Sequence, residues 1–385
     1  MGQSSTVILE PARLADLFAA LHDEGYEIVG PTVRDGAVVY ETLSSTSELP
    51  QGVGDEQSPG SYRLRERNDS ALFGYAVGPH SWKRYLHPPR VTLIRAQRSA
   101  EGMTFASDGE PPPRRAFVGV RPCDLAAIAL QDRVLLGGPH VDPVYAARRR
   151  SCLVIAVNCT EPSATCFCAS VETGPRARTG FDLALTELAA GAGGVSPGIL
   201  VEVGTPAGAA LVEKLEQRPA SAAELQRADE LLTAAAARMS RRLATAGLEE
   251  RLYARYEDPA WDAIGQRCLA CANCTQVCPS CFCTTVVDST SLELDPAGAQ
   301  GPKAERHRLW DSCFTLDFTY IHGGSVRTSA GARYRQWLTH KLAAWRDQFG
   351  ACGCVGCGRC ITWCPAGIDI TAEANALGAA PAPGR

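Results

Sequence analysis

Two stretches near the C-terminal end repeat one cysteine spacing, and that spacing constrains the chain more than any other feature. Cys268, Cys271, Cys274 and Cys278 are followed by Pro279, and Cys354, Cys357, Cys360 and Cys364 by Pro365. In each copy two-residue gaps separate the first three cysteines and a three-residue gap precedes the fourth. A loop with such gaps curls around one face of an iron–sulfur cubane and offers it three thiolates, while the fourth cysteine points away and ligates the other cluster. The spacing therefore predicts two [4Fe–4S] clusters with crossed ligation. Cluster A takes Cys268, Cys271, Cys274 and Cys364. Cluster B takes Cys354, Cys357, Cys360 and Cys278. Structural zinc is the rival, but its cysteines usually come as separated C-x2-C pairs. Crossed ligation ties the ends of a long insert together, so loss of one cluster is expected to destabilise the other.

The chain holds 17 cysteines, an odd number, and no secretion signal is visible in MGQSSTVILEPARLADLF. A disulfide framework does not fit that context. Gly2 and Thr6 match only the loose myristoylation pattern. Outside the two motifs a shorter echo appears. Asn158-Cys159-Thr160 is followed after five residues by Cys166-Phe167-Cys168, and Asn273-Cys274-Thr275 after five residues by Cys281-Phe282-Cys283. Cys159, Cys166 and Cys168 offer three thiolates, and Cys123, between a strand and a helix start, supplies a fourth. Partial positive charge at a helix N-terminus favours a thiolate or an anionic cluster. These four form a candidate third [4Fe–4S] centre. The alternative is buried cysteines packing as small hydrophobes. Cys281, Cys283 and Cys313 are candidates to line or ligate something near cluster B and are assigned no role, and Cys152 and Cys352 are read as non-ligands.

The rest of the 385 residues reads as α/β. Leu14, Leu17, Phe18 and Leu21 fall at helical spacing. Tyr26–Val29, Ala37–Thr42, Ala116–Val120 and Leu153–Val157 read as strands, with a helix after Asp124 placed as its N-cap. Alternation of strand and helix favours a mixed or mostly parallel sheet covered by helices. Polar, Gly/Pro-rich loops are expected over Ser44–Ser61, Ser99–Arg115 and Ser289–Glu305. Helices are expected over Ala222–Leu243, Leu248–Gln266 and Gly331–Gln348. The domains predicted are 1–245, α/β with the candidate third centre; 246–377, an α-helical ferredoxin-like two-cluster domain; and 378–385, a disordered tail.

No G-x-G-x-x-G or Walker motif marks a nucleotide site, so no catalytic residue is assigned. A net charge of −4 supplies no basic field for nucleic acid. No run approaches the roughly 20 apolar residues of a membrane span, and the reading is cytoplasmic. The basic run Arg327, Arg333, Arg335, Lys341 and Arg346 reads as a solvated face, and His322 and His340 as ordinary hydrogen-bonding side chains.

FVGVRPCDLAAI, NCTEPSATCFC, DFTYIHGGSVR, RYRQWLTHKL and GCVGCGRCITWCPAGIDI resemble the iron–sulfur β subunit of cytoplasmic sulfhydrogenases, NAD(P)-linked [NiFe] hydrogenases. The A subunit of anaerobic sulfite reductase belongs to the same broader group. The likeness runs from about Gly74. It implies a hetero-oligomer in which this chain carries electrons between the small and large subunits of a [NiFe] hydrogenase and a flavoprotein binding FAD and NAD(P). The alternatives are the same wiring in a sulfite reductase complex, or a stand-alone iron–sulfur oxidoreductase.

Overall fold

The structure is a computed structural model that describes residues 6–99, 102–107, 111–189, 196–291 and 300–378. Strands follow in the order β1 (Thr6–Leu9), β2 (Glu27–Arg34), β3 (Ala37–Thr42), β4 (Val53–Ser58), β5 (Ser61–Glu66), β6 (Arg90–Ser99) and β7 (Gly102–Ala106). They continue with β8 (Arg115–Val120), β9 (Cys152–Val157), β10 (Leu183–Leu188), β11 (Gly198–Val203), β12 (Arg218–Pro219), β13 (Thr284–Thr290) and β14 (Gln300–Trp310).

The main sheet has eight strands in the order β12-β1-β11-β10-β9-β8-β2-β3. Its centre, β10-β9-β8-β2, is parallel, and every flanking pair is antiparallel. The sheet is therefore mixed. Its central strands are apolar runs because both faces are covered. Ala116, Val118, Leu153, Ile155 and Val157 face the helix Leu14–Asp23, which buries Leu14, Leu17, Phe18 and Leu21 as its spacing predicts. Phe117, Val120, Val154 and Ala156 face the opposite layer, with Leu125 and Ile128 of the helix Pro122–Leu135. Each such Val, Leu, Ile or Phe side chain taken fully out of water contributes about 1.5–3 kcal/mol.

All three segments expected as loops contain strand residues. β4 pairs with β5, and β6, β7, β13 and β14 form a second antiparallel sheet in the order β13-β14-β6-β7. These strands escape a sequence reading because a strand announces itself by burying alternate residues, and β7, GMTFA, is exposed at all five positions. Residues 100–101, 108–110 and 292–299 of those segments lie outside the described residues. The second sheet also joins strands from either side of residue 245, and it gives the C-terminal part strands where helices alone were expected.

The helix expected over Leu248–Gln266 is two, Leu248–Ala254 and Ala260–Arg267, broken ahead of Pro259. The helix from Ala222 ends at Arg238, and the one from Ala330 runs to Thr339, continues through a π turn at His340–Ala344, and ends at Trp345–Phe349. Ala260–Arg267 and Ala330–Thr339 cross closely at Gly265 and Gly331, where a Cβ on either would stand 2.6 Å from backbone of the other. That crossing carries Trp261, Ile264, Tyr334, Trp337 and Leu338 into a core shared with the motif cysteines. The final helix is Ile370–Gly378, and residues 379–385 of the expected tail lie outside the described residues.

Candidate metal centres

The two cysteine loops have the same backbone. Two and four residues after the first cysteine of each motif the chain turns left-handed: Ala270 (φ 50°) and Ala272 (φ 66°) in one, Gly356 (φ 64°) and Gly358 (φ 76°) in the other. Short helices follow at the same offset, Asn273–Gln276 and Arg359–Thr362. The N–H of Ala270 donates to Cys268 Sγ at 3.4 Å, and that of Gly356 to Cys354 Sγ at 3.5 Å. Left-handed backbone costs an L-residue roughly 1–2 kcal/mol, so holding alanine there asks for a compensating interaction, which a ligated metal cluster supplies.

Cys268, Cys271, Cys274 and Cys364 line one pocket together with Phe314, Tyr334, Trp337 and Ile368. Burial raises the Cys274 thiol well above its usual range, and Cys268, Cys364 and Cys271 add to that effect. The set predicted for cluster A is thus gathered, two motifs contributing. Cys354, Cys357 and Cys278 are buried. Burial also raises Cys360, with Cys354, Cys357, Cys278 and Cys274 acting on it in turn. The cluster B set is gathered around Cys360, which also faces a cysteine of cluster A. Among the described residues no three Cys, His, Asp or Glu side chains close on a point as a single ion needs. A cubane spreads its ligands over four irons and fits a wider set. The pocket of Cys268 is lined by no carboxylate or imidazole, and all-sulfur donors suit iron–sulfur clusters.

The four candidate residues of the third centre also meet. Cys123, Cys159, Cys166 and Cys168 line a single cavity with Arg121, Pro162, Pro175 and Met239. β8 and β9 are parallel neighbours, and their C-terminal ends deliver Cys123 and Cys159 side by side, in the crevice where open α/β sheets hold ligands. Burial holds the Cys166 thiol up at about 12. Arg121, only 2% exposed, is fixed by the carbonyls of Phe73, Tyr75 and Asn158 and brings positive charge to a sulfur pocket.

This cavity abuts the second cysteine loop. Phe167 N–H donates to Gly356 O at 2.8 Å, and Thr173 Oγ1 to Val355 O at 2.6 Å. A Cβ on Gly356 would meet Cys168 backbone at 2.6 Å, and one on Gly358 the Thr165 carbonyl at 2.5 Å. The second loop can therefore lie on the first domain only with glycine at both places.

Charged groups around the sulfurs differ from expectation. Asp124 is no helix cap: it is 1% exposed and paired in a fork with Arg359, itself 0% exposed, at 2.9 and 3.0 Å. Within the presumed solvated face, Lys341 and Arg333 are buried. Lys341 Nζ donates to Cys278 Sγ at 3.2 Å and Ser280 Oγ at 3.1 Å. Burial opposes its charge, but Cys278, Cys281 and Cys354 prevail and hold it well above the ordinary lysine value. Lys83, also buried, is held below that value by burial, against Cys281 and Cys278. No sequence pattern marks either lysine as buried. Cys281 is hydrogen-bonded to Cys278, and Cys283 to Cys313. Cys152 and Cys352 bond to backbone carbonyls. His340 lies beside Trp345.

Two cysteine loops of the same backbone form, one of them lying against the α/β part, have the character of an iron–sulfur electron-transport protein. Residues 267–368 match the 4Fe-4S dicluster domain family. Over most of its length the chain is similar to sulfhydrogenase 2 subunit beta of Pyrococcus furiosus, with 29% identity over 334 residues, 86% of this chain and 92% of that relative. Its likeness is thus to the sulfhydrogenase β-type iron–sulfur subunits. No helix among the described residues is long and apolar enough to cross a membrane.

Proposed function

We propose that the chain is a cytoplasmic electron-transfer subunit joining a [NiFe] hydrogenase module to a flavoprotein that binds FAD and NAD(P), so that hydrogen oxidation reduces the nicotinamide or the reverse. Bound [4Fe–4S] clusters supply single-electron redox chemistry. Cys268, Cys271, Cys274 and Cys364 would hold cluster A; Cys354, Cys357, Cys360 and Cys278 cluster B; and Cys123, Cys159, Cys166 and Cys168 a third. We take residues 1–245 as the α/β part and 246–377 as the two-cluster part.

The observation that carries the proposal is that the three cysteine sets abut in series. Cys166 Sγ lies 3.8 Å from the Cys357 carbonyl oxygen, and Cys360 lines the pocket of Cys268, Cys271, Cys274 and Cys364. The protein's part is to keep water from the sulfurs, to direct N–H groups at Cys268 and Cys354, and to hold neighbouring sites at fixed separation. The likeness to a sulfhydrogenase subunit favours hydrogenase over sulfite reductase as the terminal enzyme.

The test is made on the assembled complex. A Cys360→Ala variant is expected to lose hydrogen-dependent NAD(P) reduction while the hydrogenase subunits still reduce an artificial dye with hydrogen. Full NAD(P) reduction by that variant would overturn the proposal.

A further inference from the structure

Of 38 lysines and arginines only four are lysines, and two of the four, Lys83 and Lys341, are 4% and 5% exposed. Among the described residues neither is paired with a carboxylate. An ammonium taken out of water is costly unless an anion or strong acceptor meets it. What meets Lys341 is sulfur: Cys278 Sγ at 3.2 Å, with Ser280 Oγ at 3.1 Å. Ser280 in turn donates to Gly353 O at 2.7 Å, and Gly353 N–H donates to the Lys341 carbonyl at 2.8 Å. Lys341 is thereby tied to the chain entering the second motif. It sits in the π turn His340–Ala344, a local widening frequent at functional sites. Lys83 comes from the α/β side, its Nζ 3.4 Å from the carbonyls of Thr275 and Gln276 and 3.9 Å from the Trp310 ring centre, within range of the charge of Cys281 and Cys278.

We propose that Lys341, seconded by Lys83, raises the reduction potential of cluster B above that of cluster A. This rests on the assignment of Cys278 to cluster B. Reduction adds one electron and one negative charge to a cluster, and a fixed cation hydrogen-bonded to a ligand sulfur stabilises that charge. Burial works the other way, since a medium of low dielectric resists added charge, and cluster B is the more enclosed of the two. The lysine offsets that penalty where it would be largest. A compact ammonium suits the role, because a guanidinium is a planar fork rather than a point charge.

Other charges near B contribute less: Arg359 is neutralised by Asp124. Among the described residues no lysine or arginine is hydrogen-bonded to a sulfur of the cluster A set. Cys364 receives a backbone N–H, from Ile368 at 3.4 Å. Arg333 donates to the carbonyls of Arg327 and Thr328, and Arg267 is paired with Glu373. Electrons entering from either side would then settle on the middle site of the series. Lys341 is a positioning residue, acting through the ligand sulfur.

The experiment is an anaerobic, EPR-monitored redox titration of the full chain as wild type, Lys341→Met, Lys341→Arg and Lys83→Met. A Cys278→Ser variant identifies which potential belongs to cluster B. Lys341→Met is expected to lower the equilibrium constant for reduction of B about tenfold, a shift of about 59 mV to more negative potential for one electron, with A unmoved. Lys83→Met should shift B in the same direction by less, and Lys341→Arg should restore most of the loss. An unchanged B potential in Lys341→Met with full iron, or a shift confined to A, overturns the proposal. If Lys341→Met fails to hold iron, Lys83→Met decides alone, and no shift there overturns it equally. Failure of the underlying cluster reading looks different: the wild-type chain would hold no iron before any potential is measured.

Discussion

In the middle of the main sheet, Leu153, Ile155 and Val157 are buried against aliphatic side chains that supply their own reason to be there. Around Cys268 and Cys354 the buried atoms are sulfurs, and the backbone is bent left-handed at alanine as well as glycine. One region is held by apolar area taken out of water, which needs no cofactor. The other gathers polarisable thiols whose ionised forms burial disfavours, as the raised Cys274 and Cys360 show. Its stability is therefore expected to reside in metal binding, as in other small metal-dependent units whose binding free energy is folding free energy. The two meet at a seam made by Arg359–Asp124 and the Gly356 loop, so the contrast can be broken from either side.

The largest effect should come from the cysteines. Cys274→Ser combined with Cys360→Ser is expected to remove both clusters and open residues 267–368 while the main sheet stays folded. Hydrogen exchange would show this as lost protection at Gly356 with β8 and β9 still protected. Loss of protection in β8 and β9 as well would mean that the two regions fold as one. At the seam, Arg359→Met leaves Asp124 buried and unpaired, at a cost of about 3–5 kcal/mol. Replacing both partners, Arg359→Met with Asp124→Leu, should recover most of that in a denaturant titration; no recovery would point to the Arg359 bond to the Gly78 carbonyl instead.

A pH effect of intermediate size should arise at His87, beside Arg308 and Asp142. Burial, with Arg308 next, lowers His87 to about 4. An unfolded histidine titrates near 6.5, so between those values the unfolded chain binds more protons. Stability is then complete above about pH 6.5 and falls as the pH drops towards 4, by roughly 3 kcal/mol at most. His87→Asn should flatten the urea midpoint over that window, and an unchanged slope would remove His87 from the account. Smallest of all, Ile155→Val in the sheet should cost about 0.5–1.5 kcal/mol with no loss of iron.

The same contrast explains what could be read from the sequence. Crossed ligation is what the spacing predicts, and the structure puts Cys364 in one pocket with Cys268, Cys271 and Cys274 from the other motif. The sheet centre was legible because burial on both faces produces unbroken apolar runs such as Leu153–Val157. β4 and β7 fell within segments read as loops because the buried positions of β4 are a glycine and a glutamine, Gly54 and Gln57, and β7 is exposed throughout. Lys341 was misread as surface: a charge run looks the same whether it faces water or sulfur, and only the fold brings Cys278 to its Nζ. Asp124 fitted an N-cap by position, but its partner Arg359 lies 235 residues away.

The most direct test of the central claim is the iron and acid-labile sulfide content of the anaerobically purified chain, read beside EPR of its dithionite-reduced form. The account predicts about twelve irons, four per cubane, with an interaction-broadened signal, falling by about four in Cys166→Ala/Cys168→Ala. About eight irons, untouched by that variant, would return the N-terminal cysteines to packing. Zinc in place of iron would contradict the account as a whole.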